Sequence, residues 1–328
     1  MKKRIFSGMR PTGKLHLGHL VGALENWVKL QDEYDCFFMV ADWHALMGEY
    51  EDPSLLLENA VDNVIDWLAA GIDPEKSVLF VQSHVEQHLE LQMIFSCFTP
   101  LGWLERCPTY KEQLREVTKR DLHTYGFLGY PVLQAADILL YKAERVPVGE
   151  DQLPHLELTR EIARRFNGLY KTNVFPHPEA ILTKMPRLLG LDGRKMSKSY
   201  NNTVNLSDPE ETVRKKIGSM ITDPKRIKMT DPGHPQDCNV HAYYSVFAPE
   251  MEKEVYEWCS KALVGCVECK SRLASKIIEK LTPFHKRRKE LTEDKKAVKD
   301  ILSAGEEKAR KLAGDTIKEA RKAMKLGI

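Results

Sequence analysis

Strands and helices alternate through the first half of the chain and helices alone follow, so the sequence predicts an α/β fold: a doubly wound parallel sheet of Rossmann type, then a smaller all-helical domain. Three observations carry this expectation. Asp35 to Ala41 is one of several continuous apolar runs too short for a helix and suited to a strand buried on both faces. Each such run is followed by residues of helical period, and from Ser207 onward the strand-like runs stop.

The elements follow in order. Ile5 to Gly8 reads as the first strand, Pro11 and Gly13 as a turn, and Leu20, Ala23, Leu24, Trp27 and Val28 as the apolar face of the first helix. That strand–turn–helix start is an anion site in principle, because first-turn N–H groups are unsatisfied and the helix dipole favours negative charge. Gly8 to Leu15 nearly fits a P-loop, but Leu15 stands where Ser or Thr must ligate Mg²⁺, and Pro11 removes a backbone donor. After the Asp35–Ala41 strand come the polar residues Asp42 and His44, at the end of a strand where open α/β sheets bind ligands. Asp52-Pro53-Ser54 starts a helix with Leu55, Leu56, Val61, Val64, Ile65 and Leu68 as its apolar face, ended by Gly71. Ser77 to Gln82 is a strand, about Val85 to Phe98 a helix, and Gly102 to about Thr124 a charged, mobile stretch. The pattern Val132, Leu133, Ala136, Leu139, Leu140 is helical and carries one acid, Asp137; Val146 to Gly149 is a strand and Leu153 to Phe166 a helix. Ser207-Asp208-Pro209-Glu210-Glu211 opens the helical part, which includes Ala262, Leu273, Ile277, Leu281 and Leu302.

With 328 residues, 42% of them hydrophobic, the chain has room for about two domains with ordinary cores. No apolar run of about 18 residues occurs and Met1 to Pro11 has no signal-peptide core, so the expected location is cytoplasmic, with no membrane partner. Seven cysteines without an export signal point to thiols or metal ligands rather than disulfides. Net charge is +2, yet Lys270 to Ile328 alone holds 18 Lys and Arg against 9 Asp and Glu, which fits a polyanionic partner. Leu191 to Asn202 is a small-residue, cationic stretch between the two regimes, flexible enough to close on phosphates.

Two motifs in this order carry a resemblance. His16-Leu17-Gly18-His19 resembles the HIGH motif, and Lys195-Met196-Ser197-Lys198-Ser199 matches the KMSKS motif, of class I aminoacyl-tRNA synthetases. Tyr130 to Tyr141 and Val146 to Gln152 resemble segments of bacterial tryptophanyl-tRNA synthetases. The resemblance implies an enzyme that joins tryptophan to ATP as tryptophanyl-adenylate, releasing pyrophosphate, and then transfers tryptophan to tRNA(Trp). It implies His16, His19, Lys195 and Lys198 as catalytic residues. Arg10, Gly18, His19, Asp151, Lys195, Met196, Ser197 and Lys198 would bind ATP with its Mg²⁺. Phe6, Gly8, His44, Tyr130, Gln134, Asp137, Val146, Val148 and Gln152 would bind tryptophan, Asp137 accepting the indole N–H, which phenylalanine lacks. Two departures stand out: Arg10 replaces a common Gln, and Gln134 replaces a common Met. Gln before the acid is shared with tyrosyl-tRNA synthetases, so tyrosine is the alternative substrate, and a non-catalytic tRNA- or nucleotide-binding paralogue the alternative role. The intact His pair and loop lysines argue against the latter.

The implied domains are a catalytic domain at 1–190, a mobile KMSKS loop at 191–205, and a helical anticodon-binding domain at 206–328 whose last helix could return to the catalytic domain. A homodimer is also implied, with no DNA partner. Cys238, Cys259, Cys266 and Cys269, spaced C-x20-C-x6-C-x2-C, are enough for zinc or a [4Fe–4S] cluster, both of which take Cys₄ ligation. The spacing alone leaves that choice open. Some bacterial tryptophanyl-tRNA synthetases carry an iron–sulfur cluster, and that resemblance favours the cluster.

Overall fold

The computed structural model describes residues 2–116, 120–182, 188–196 and 200–327. They form two compact units, one of Met1–Gly13, Trp27–Thr183 and Asp294–Ile328, the other of Lys14–Asn26 and Lys184–Glu293. These boundaries divide the chain elsewhere than at 190 and 205. The last helix belongs with the sheet, and the His16–His19 turn with the helical unit.

In the first unit, β1 (Arg4–Met9) lies at the centre of a five-stranded sheet. On one side come β2 (Asp35–Val40) and then β3 (Ser77–Val81); on the other, β4 (Arg145–Val148) and then β5 (Glu179–Leu182). Every pairing is parallel, with Ile5 opposite Cys36 on one side and Arg145 on the other. Strand order therefore reverses between β1 and β4, and the ends of those two strands are where such sheets bind ligands. The expected strands are present within a residue or two. Strand β5 is an addition: it is a four-residue edge strand of mixed exposure, with no buried run to mark it.

The α-helices of this unit that matter here are α1 (Glu25–Glu33), α2 (Asp42–Glu49), α3 (Leu56–Ala69), α4 (Gln87–Ser96), α5 (Pro108–Glu116), α6 (Tyr130–Leu140) and α7 (Leu153–Tyr170). Helix α1 spans the join between the units. Helix α2 starts directly at the end of β2, where the sequence suggested only polar residues. Leu55 is exposed rather than on the buried face of α3, because that helix begins one residue later. The stretch expected to be mobile holds α5, and its residues 117–119 lie outside those described. Helix α6 is buried at every position but Gln134, packs against α4 and α7, and so carries Asp137 into the core.

The second unit holds α8 (Glu210–Gly218), α9 (Asn239–Phe247), α10 (Glu252–Ser260) and α11 (Cys266–Glu293). Val213, Ile217, Tyr243, Tyr244, Leu273, Ile277 and Leu281 supply its buried side chains, at the helical spacing the sequence shows. Ala262 is the exception: it has positive φ in the turn between α10 and α11. Helix α12 (Lys295–Met324) belongs to the first unit, where it packs on β3. Gly305 makes that possible, since a Cβ there would collide with the Leu79 carbonyl oxygen, and Ala309, Ala313 and Ala320 continue the small-residue face. Among the described residues no helix is long and apolar enough to cross a membrane.

Candidate active site

In the sheet unit, candidate residues gather around a buried carboxylate. Asp137 is 1% exposed and accepts three hydrogen bonds: from His44 Nε2 at 2.8 Å, from Gln82 Nε2 at 2.8 Å and from His88 Nδ1 at 2.6 Å. Burial alone would raise its pKa, but the hydrogen bonds from His44 and His88 prevail and bring it down to about 2. Asp137 is therefore an anion and an acceptor at neutral pH. Gln82 is itself oriented, because its Oε1 accepts the Trp43 backbone N–H at the start of α2. Tyr141 closes the group: its hydroxyl lies 2.8 Å from His88 Nε2, and its ring stacks on Phe6 and Phe37 at 5.5 and 5.0 Å.

The remaining candidates of this unit lie at the ends of β1 and β4. Gly8 packs on Met39, which leaves only 3.3 Å for a Cβ, and Arg10 follows β1 with Tyr130 and Glu49 as its electrostatic neighbours. Tyr130 is buried, and its hydroxyl lies 2.8 Å from His155 Nε2; burial lowers the His155 pKa to about 4 and raises that of Tyr130 well above the usual phenol value. His155 is thus a neutral acceptor and the phenol stays protonated. Val146 is buried and Val148 half-buried on β4. Beyond them Gly149, Asp151 and Gln152 form a tight turn, in which Gln152 Nε2 donates to Asp151 Oδ2 at 3.0 Å.

In the helical unit, the two histidines and the cationic loop are tied to one another. His16 and His19 have ring centroids 3.8 Å apart, and the His16 backbone N–H donates to His19 Nδ1 at 3.2 Å, so His19 carries its proton on Nε2. Gly18 lies beneath the His16 ring and Met196: a Cβ there would come within 3.0 Å of the imidazole and 3.1 Å of the Met196 sulfur. Leu17 N–H donates to Val204 and Leu206 N–H to Leu15, which fixes the His turn to the segment following the loop. At the loop base, Asn202 Nδ2 donates to both Asp192 Oδ1 and the Lys195 carbonyl. The Asn202 amide, helped by Arg194, holds Asp192 down at about 2. Lys195 is exposed; Ser197 and Lys198 lie outside the described residues.

A buried carboxylate that accepts N–H donors, in a region of stacked aromatics, suits a flat heteroaromatic substrate bearing an N–H. A histidine turn bound to a cationic loop suits a phosphate ester. A family model described as tRNA synthetases class I (W and Y) matches residues 1–282. The chain belongs to this family. A tryptophan–tRNA ligase of Thermotoga maritima is 56% identical over 326 residues, 98% of this chain and 99% of that one. Another, from Aquifex aeolicus, is 45% identical, with 98% and 100% covered. The crystal structure of tryptophanyl-tRNA synthetase from Campylobacter jejuni, complexed with ADP and tryptophan, superposes with a TM-score of 0.88 at 34% identity, over 98% of this chain and all of that one. The activity is that of a tryptophan–tRNA ligase, a class I synthetase, and tyrosine and the non-catalytic role fall away.

Sequence reasoning about the synthetase missed Gln82, His88 and Tyr141. Gln82 follows β3, a position that strand-end logic could have flagged; His88 stands in a mixed polar helix and Tyr141 just past an apolar one, and neither carries a local signal. The four cysteines of the synthetase line one cavity of about 20 Å³, with Arg226 and Trp258 beside them. Arg226 Nη1 reaches the Cys266 sulfur at 3.9 Å, and Gly233 lets the backbone lie against Cys259. Burial pushes the Cys269 thiol up to about 12. Among the described residues no three His, Cys, Asp or Glu are set closely enough to hold a metal ion, which supports neither the zinc nor the iron–sulfur expectation.

Proposed function

We propose that Asp137 selects tryptophan by accepting the indole N–H, while His16, His19, Lys195 and Lys198 stabilise charge on the ATP phosphates during adenylate formation. The observation that carries the first part is an ionised carboxylate, 1% exposed, already oriented by three donors and flanked by stacked rings. Phe6, Val146 and Val148 line the indole, Gly8 leaves the strand end open, and Tyr130, Gln134 and Gln152 meet the amino-acid end. Tyr130 suits an ammonium group, since its hydroxyl donates to neutral His155 and turns its lone pairs away from it. Attack of the tryptophan carboxylate on the α-phosphate needs alignment and charge neutralisation more than covalent help. His19 presents Nε2–H as a neutral donor, the lysines add full charges, and Mg²⁺ bound with ATP shares the pyrophosphate charge. Asp151 holds the ribose, and Gly18 and Met196 sit against the adenine.

Asp137→Ala tests this reading in tryptophan-dependent ATP–pyrophosphate exchange. The expected loss is about 2 to 4 kcal/mol in kcat/KM, because a site built to pair a substrate N–H discriminates strongly. Normal tryptophan activation by this variant would place the selecting group elsewhere.

The tRNA(Trp) partner belongs to the basic face of α11, where Lys286, Arg287 and Lys289 are exposed, in a homodimer acting in the cytoplasm. The four-cysteine cavity is read as a [4Fe–4S] site with a structural or tRNA-docking role. Support comes from four thiols on one cavity, with a guanidinium beside one sulfur to favour thiolate. Anaerobic purification should give a brown protein absorbing near roughly 400 nm; a colourless protein with one zinc per chain would reverse the choice.

A further inference from the structure

We propose that His88, backed by Tyr141, is the positioning residue that leaves the Asp137 carboxylate one lone pair for the indole N–H. This rests on the reading of Asp137 given above and assigns what holds that group in place.

A carboxylate has about four acceptor sites. His44, Gln82 and His88 fill three of them, and burial excludes water from the fourth. The two histidines differ in kind. The His44 side chain is 12% exposed, whereas His88 is fully buried. His88 does not reach substrate; it acts through Asp137.

The order of protons along the chain is fixed by hydrogen-bond logic. Tyr141 is fully buried, burial holds its phenol protonated, and its hydroxyl lies against His88 Nε2. A buried O–H must donate, so Nε2 is the acceptor and the His88 proton sits on Nδ1, where it can only point at Asp137 Oδ1. A cationic His88 would carry a proton on Nε2 as well and turn the Tyr141 hydroxyl away from it. The sequence of donors therefore runs Tyr141 to His88 to Asp137. Packing holds each ring: Phe80 stacks on His88 at 6.0 Å, and Phe6 and Phe37 on Tyr141. The titratable groups facing Asp137 are His44 from α2 and His88 from α4, with Tyr141 one hydrogen bond further.

The experiment compares tryptophan with β-(3-benzothienyl)alanine, in which sulfur replaces the indole N–H, as substrates for pyrophosphate exchange by the full-length enzyme. His88→Gln places its amide near Nε2 and loses the donor to Asp137; His88→Asn keeps an amide donor near Nδ1. We expect His88→Gln to cut the preference for tryptophan about tenfold through KM, with kcat within about twofold. His88→Asn should retain most of the preference. Tyr141→Phe, which changes one atom, should cut it about threefold and carries the test if His88→Gln fails to fold. In both defective variants the tryptophan KM should begin to rise at a higher pH on the acid side, as Asp137 takes up a proton more readily. Equal losses for tryptophan and the thienyl analogue would overturn the proposal, since they mark a merely structural role. Asp137→Asn separates the two readings. If it leaves the preference intact, the reading of Asp137 fails; if it abolishes the preference while His88→Gln and Tyr141→Phe preserve it, the role of His88 fails alone.

Discussion

Two glycines four residues apart allow a controlled test of the nucleotide turn. At Gly18 an added methyl would meet the His16 ring at 3.0 Å and the Met196 sulfur at 3.1 Å; at Gly22 it would meet nothing within 4 Å. Ordinary carbon contacts begin near about 3.5 Å, so Gly18→Ala must push His16 or Met196 back by about half an ångström. A displacement of about 1 Å at a reacting centre can cost a factor of about 10², so we expect roughly a tenfold fall in exchange rate, about 1.4 kcal/mol. The ATP KM should rise and the tryptophan KM should not. Gly22→Ala should leave the rate within about twofold and add up to about 1 kcal/mol of stability from helix propensity. Thermal unfolding of both variants beside exchange kinetics separates the effects. Equal kinetics for the two variants, or a Gly18→Ala loss confined to the tryptophan KM, would refute the role of this turn in nucleotide binding.

Three further outcomes follow from the geometry. The folded pKa of Asp137, about 2, lies below the ordinary aspartate value, so its contribution is present above about pH 4 and is lost as pH falls toward 2; acid titration of wild type against Asp137→Asn should show a gap of about 2 kcal/mol narrowing in that window. Gly305→Ala should lower stability by about 1 to 3 kcal/mol through overpacking on β3 while exchange per folded molecule stays unchanged, as differential scanning calorimetry beside exchange assays would check. Neutralising Lys286, Arg287 and Lys289 together should weaken tRNA binding and flatten its salt dependence by about three counterions without altering exchange, measured by filter binding across a salt series.

Legibility in the sequence tracked periodicity. Strands β2 and β3 were readable because each buries a continuous apolar run, β1 and β4 because a short apolar stretch ends in a glycine-bearing turn, and α6 because its apolar positions recur at helical spacing around one acid. Strand β5 was not, since an edge strand of four residues buries too little to leave a pattern. Helix α2 was hidden because it starts inside the polar stretch that closes β2. The His16–His19 and Lys195–Ser199 motifs were legible as short strings, and they carried the resemblance to the family. Asp137 was visible as a lone acid among apolar residues, but its donors were not: Gln82, His88 and Tyr141 come from three separate segments, and only the folded sheet brings them to one carboxylate. The four cysteines were legible as a spacing, which cannot say how far apart the sulfurs stand.

The dependence of β3 on α12 also sets an order of events during synthesis. Strand β3 ends at Val81, and the glycine that seats the helix upon it lies at 305, more than 200 residues downstream. At about 5 to 20 residues per second, a ribosome needs roughly 10 to 40 s to span that interval. Once β5 has emerged the sheet can assemble, yet it keeps a bare apolar surface over β3 until α12 arrives. The nascent chain is thus exposed to chaperones and to aggregation for most of its synthesis, and a product that stops short of Lys295 would leave the ribosome with that surface uncovered.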